Sequence, residues 1–136
     1  MSDPIIYIDR SQVAPGRLNE LKRRIGQLAR LVEQQEPRLI AYQVFFDETE
    51  RTMTVIHVHR DSRSLAMHFE TAGPHFDPFR DLVELKSIEV YGRPDPDVLP
   101  ALRAKAASLG NGSVSLHQHH AGFLRAFGAG SRVALP

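Results

Sequence analysis

His57 and His59 stand two residues apart within 52–59, and His117 and His119 stand two apart within 113–119. Alternate residues of a strand project from one face of a sheet, so each pair would present two imidazoles side by side. Two chemistries suit that pattern. An imidazole titrates near neutral pH and can take the proton of a phenol or quinol, leaving an anion that gives electrons to dioxygen more readily. Four nitrogens from two such pairs would instead suit zinc, nickel or copper, provided that the pairs meet. His68 stands with Leu65, Phe69 and Ala72 at helical spacing, where a histidine can tether helix to sheet and face the same chemistry. Gly-x-Gly-x-x-Gly, phosphate-loop and Gly-x-Ser-x-Gly motifs are absent from the sequence.

The elements that would position these residues follow from periodicity. Residues 5–9 alternate as a β-rich run, and Leu18, Leu21, Ile25, Leu28 and Val32 recur at three- and four-residue steps, the mark of a one-sided helix. That helix should stop near Glu36-Pro37, because the residue before proline is pushed out of helical geometry. Strands are expected over 39–46 and 52–59, joined by the polar turn at 47–50. Asp61 is a suitable N-cap for a helix over 62–72, which Gly73-Pro74 ends. A short helical piece carrying Phe76 and Phe79 then leads to a strand over 85–91. The order β-α-β-β-α-β is the ferredoxin-like arrangement, an α+β fold with a four-stranded antiparallel sheet and both helices on one face. An added helix carries Leu99, Leu102, Ala106 and Leu109, and an added strand covers 113–119. The expected organisation is a core over 1–94, a helix-strand extension of the same domain over 95–127, and a flexible tail over 128–136.

Parity sorts the strands into two groups. Ile6, Ile8, Ile40, Val44, Ile56, Val58, Ile88 and Val90 are uniformly apolar, as a helix-covered face requires. Tyr7, Gln43, Phe45, Val55, His57, His59, Glu89 and Tyr91 mix aromatic and polar groups, and are expected together on the other face. Left bare, that second face would be an apolar patch of the size that marks an interface. The expectation is a second copy packed over it, enclosing a pocket for a small aromatic or hydrophobic ligand. Glu89 would there orient a histidine and hold its tautomer. A tightly packed polar interface without a ligand is the alternative.

The bulk composition narrows the classes. The 136 residues fit one domain, with 42% hydrophobic and 24% charged residues and a formal charge of +1. Nucleic acid is not an expected partner, and the basic helix surface of Arg17, Lys22, Arg23, Arg24 and Arg30 reads as solvated. No membrane span and no N-terminal basic-then-apolar signal are visible, so the expected compartment is cytoplasmic. There is no cysteine, hence no disulfide or thiolate chemistry.

Val13-Ala14-Pro15-Gly16 before the first helix, Glu36-Pro37 before the second strand, and the run from Val55 through His68 to Pro74-His75-Phe76 resemble the dimeric α+β barrel superfamily, especially the antibiotic-biosynthesis-monooxygenase-like proteins. The resemblance covers roughly residues 5–94. It implies a homodimer of ferredoxin-like subunits and, in many relatives, oxygenation of phenols, quinols or polyketides without metal or flavin. On that reading His57, His59 and His68 are the candidate catalytic residues, Tyr7, Gln43, Phe45, Glu89 and Tyr91 line the ligand site, and no cofactor is needed. The chain departs from its relatives in having no Trp, in offering Tyr7 and Asp9 where many present an Asn, and in carrying His57 and His59 where many carry an acid and an aromatic.

Overall fold

In the computed structural model, which describes residues 4–125, Ile5, Tyr7, Asp9, Ser11 and Val13 are all buried along one side of the first strand, β1 (Ile5–Val13). Helix α1 (Leu18–Gln35) buries Leu21, Ile25, Leu28 and Val32, the stripe its spacing predicts. Strands β2 (Leu39–Asp47) and β3 (Thr52–His59) form the expected hairpin. Helix α2 (Ser62–Ala72) is capped by Asp61, whose carboxylate accepts from the Ser64 N–H at 2.8 Å. That bond is also the leading reason the Asp61 carboxyl lies below its usual range.

Two short 3-10 turns, Gly73–His75 and Asp77–Phe79, lead into β4 (Val83–Tyr91). A third 3-10 turn, Pro96–Val98, precedes α3 (Leu99–Leu109), and β5 (Gly110–His117) closes the order. The sheet runs β2-β3-β1-β4-β5. Its first four strands are antiparallel neighbours, whereas β5 lies parallel to β4. A parallel partner needs a crossover, and α3 supplies it. The fifth strand therefore extends its own sheet, three residues earlier than expected at its start. The expected tail over 128–136 lies outside the described residues.

The expected sorting of faces is reversed on two strands. Helices cover the side bearing Tyr7, Asp9, Val55, His57 and His59, all buried, while Ile6, Ile8, Ile56 and Val58 lie on the side without helices and are half-buried. Val44, opposite Val55, and Ile88 and Val90, opposite Asp9 and Tyr7, are on the helix side as expected. Parity groups residues but does not say which group meets the helices, and both groups here are apolar enough to qualify. A register shift between Arg10 and Ser11 adds to this, placing Leu85 and Ile88, three apart, on the same buried side of β4.

Candidate functional site

The buried layer between sheet and helices holds Asp9, Glu36, His57, His59, Ser64, His68 and Lys105. That is an unusual number of polar groups for a core, and each must find a partner or be costly. Neighbouring strands bring Tyr7 and His57 opposite each other, and their rings stack at 3.7 Å with 6° between planes. Tyr42 of β2 meets His57 edge-on at 4.9 Å. From α2, His68 brings its ring to 5.1 Å from that of His57 and 5.6 Å from that of His59. The three histidines expected from the sequence thus form one cluster.

Their hydrogen bonds decide where the protons sit. His57 Nδ1 lies 3.1 Å from the Tyr7 carbonyl oxygen, which can only accept, so Nδ1 carries the hydrogen and Nε2 keeps its lone pair in the neutral ring. His68 Nδ1 lies 3.1 and 3.0 Å from the two Glu36 oxygens, so its hydrogen is directed at that carboxylate. His59 Nδ1 pairs with Ser64 Oγ at 2.8 Å. The Nε2 atoms of His57, His59 and His68 are buried and have no hydrogen-bond partner among the described residues. Burial pushes the His57 imidazole well below its ordinary pKa, with the Lys105 charge next in size, and burial takes His59 down to about 3. His57 and His59 are neutral near pH 7.

Lys105 enters from α3. Its Nζ donates to Asp9 Oδ2 at 2.9 Å and to the Tyr7 hydroxyl at 2.5 Å, and lies 4.9 Å from the centre of the Phe76 ring. Burial, followed by the Asp9 and Glu36 charges, raises the Tyr7 hydroxyl well above its usual pKa, so Tyr7 stays protonated. Asp9 Oδ2 is also 4.0 Å from His57 Nε2. Beside this group is a cavity of about 30 Å³, lined by Asp9, Tyr42 and Lys105 and by apolar side chains including Met53, Phe76 and Leu109. That space suits one or two water-sized molecules, each needing about 10–15 Å³.

The other expected site residues lie elsewhere. Gln43 and Phe45 pair with Ile56 and Thr54, and Glu89 and Tyr91 with Ile8 and Ile6, which puts all four on the face without helices. Phe45 is exposed there, and Glu89 is bonded to Arg10. With the sheet between them, Glu89 cannot orient His57; the carboxylate that does orient a histidine of the cluster is Glu36, on His68. The two histidine pairs also fail to meet. His117 stacks on Tyr91 at 4.6 Å on the uncovered face, and β1 and β4 separate β3 from β5, about 14 Å of sheet at the usual strand spacing. Among the described residues, no group of three or more His, Asp or Glu is arranged to hold a metal ion. Asp9, Glu36, Tyr42 and Lys105 were missing from the expected set. Asp9 shares the parity of Tyr7, and Lys105 falls three after Leu102 in an apolar stripe, which were the available signals.

The architecture has solved counterparts. It is similar to MupZ from Pseudomonas fluorescens, with 17% identity and a TM-score of 0.70 over 97% of this chain and 99% of that one. It is similar to SnoaB, a cofactor-independent oxygenase from Streptomyces nogalater, with 18% identity and a TM-score of 0.57 over 73% and 99% of the two chains. A proposed antibiotic biosynthesis monooxygenase from Bacteroides thetaiotaomicron aligns at 17% identity and a TM-score of 0.55, covering 61% of this chain and 85% of its own. The chain has the fold of the antibiotic-biosynthesis-monooxygenase-like proteins. A match to MupZ over 97% of the chain has to include α3 and β5, so the unit that delivers Lys105 belongs to a shared architecture. No protein-family model and no curated protein matches the chain.

Proposed function

We propose that this protein is a homodimer that binds a small aromatic or quinol-like molecule between its sheet and helices and oxygenates it without a cofactor. The observation that carries the reading is the bare, buried Nε2 lone pair of His57, its tautomer fixed by the Tyr7 carbonyl, with His68 beside it held through Nδ1 by Glu36. Such an atom accepts a proton from a hydroxyl brought against it, and a deprotonated quinol is the stronger electron donor to dioxygen. One electron passing to dioxygen gives superoxide and a substrate radical; their recombination forms the carbon-oxygen bond of a peroxide, which takes the proton back from the imidazolium and, as its O–O bond breaks and the carbon gives up its hydrogen, loses water to leave a quinone carbonyl. SnoaB, of the same fold, is a cofactor-independent oxygenase, which supports the reaction class.

No helix among the described residues is long and apolar enough to cross a membrane. A second copy over the face bearing Ile6, Ile8, Ile56 and Val58 would bury side chains that are otherwise left half-exposed.

The test is dioxygen uptake with a panel of quinols and polycyclic phenols. His57→Ala and His68→Ala should each lower turnover by about 100-fold or more, the usual yield of a positioned general base. Unchanged turnover in both would remove these histidines from the mechanism. A second reading, a binding module without catalysis, is favoured by the cavity of about 30 Å³, which admits an aromatic ring only if Phe76 or α3 yields. Ligand binding without dioxygen uptake across the panel would decide for it.

A further inference from the structure

Lys105 brings a cation into the apolar stripe of α3, among Leu102, Ala106 and Leu109, where an uncharged side chain would pack as well. A buried ion pair such as Lys105–Asp9 often stabilises a fold no more than apolar residues of the same volume do, so stability alone does not explain it. An ammonium has three donors, and two are used, on Asp9 and on Tyr7. The third is spare beside the cavity. The Asp9 oxygen that accepts from Lys105, Oδ2, also faces the bare His57 Nε2 across 4.0 Å, two acceptors opposed. A donor placed between them would relieve that opposition.

We propose that Asp9 and Lys105 are counter-ions for the two charges made by one proton transfer. A ligand hydroxyl gives its proton to His57 Nε2; the O–H bond breaks, its electron pair stays on oxygen, and an N–H bond forms. Lys105 then holds the oxyanion through its spare donor, and Asp9 holds the imidazolium. The site starts with one ion pair and ends with two, at unchanged net charge. The groups facing His57 from the surrounding elements are Tyr7 and Asp9 on β1, Tyr42 on β2, His59 on β3, His68 on α2 and Lys105 on α3. Among these Asp9 is the group that supplies the negative charge, and Lys105 the fixed positive one. The inference rests on the proposed placement of a ligand hydroxyl at His57, and it makes α3 part of the site rather than an appendage.

The probe is 4-nitrophenol, whose phenolate absorbs in the visible and which is too electron-poor to serve as an oxygenation substrate. It is titrated into the full chain while nitrogen-15 resonances report the His57 ring. The wild type should bind the phenolate, lowering the apparent pKa of the probe by at least about one unit, a tenfold change in ionised fraction, with His57 Nε2 protonated. Lys105→Met should bind the neutral phenol. Asp9→Asn should keep the phenolate and lose the imidazolium signal, a split that a merely structural ion pair would not produce. The double variant, which leaves no buried ion unpaired, should bind the neutral phenol and covers the case in which Lys105→Met alone does not fold. Neutral probe in the wild type, phenolate in the double variant, or no binding at all would overturn the proposal. If the spectral pattern holds and quinols still consume no dioxygen, only the oxygenase reading falls.

Discussion

His57 and His59 are bases that folding weakens. In the unfolded chain each imidazole titrates near pH 6.5, whereas in the fold burial holds His57 well below that value and His59 down to about 3. The unfolded state therefore binds more protons as pH falls, and stability is full above about pH 6.5 and lost below it. The slope is at most about 1.4 kcal/mol per pH unit for each histidine. Urea midpoints should accordingly decline from pH 7 to pH 4, and His59→Gln should flatten the decline. An unchanged profile in that variant would mean that His59 is not held neutral. The three histidines were legible in the sequence as chemistry, because their spacing clusters them. Their surroundings were not: Glu36 reads as the last residue before a proline, and Lys105 betrays its burial only by standing three after Leu102 in an apolar stripe.

Strand and helix periodicity carried the element order, including the Asp61 cap and the added α3 and β5, since each signal is local. Which side of the sheet the helices cover is not local. It depends on the hand of the crossovers, and the side carrying the site is the one whose polar residues make it look uncovered. The junction of α3 and β5 is tight for a reason visible only in three dimensions. A Cβ at Gly110 would come within 2.6 Å of the Leu85 backbone nitrogen and oxygen, so glycine alone lets β5 start against β4. Gly110→Ala should push β5 from the sheet and speed amide exchange in 113–117 well before β1 or β3 respond. Equal protection in variant and wild type would show that the strands can give way without cost.

For the whole molecule, the sheet has one face under helices and one without, and Ile56 lies near the middle of the second, between Ile8 and Gln43. If a second copy covers that face, Ile56→Lys should convert a dimer of 15.3 kDa subunits into a monomer with an unchanged circular-dichroism spectrum. Sedimentation of both proteins at the same mass would argue against an interface there. The pairing of Asp9 with Lys105, 96 residues further on, has a consequence for how the chain is made. During synthesis β1 must wait at the centre of the sheet, its carboxylate without a cation, until α3 has left the ribosome. A chain cut short before α3 would bury a lone charge or stay open to proteases, so the first strand is not neutralised until residue 105 has been made.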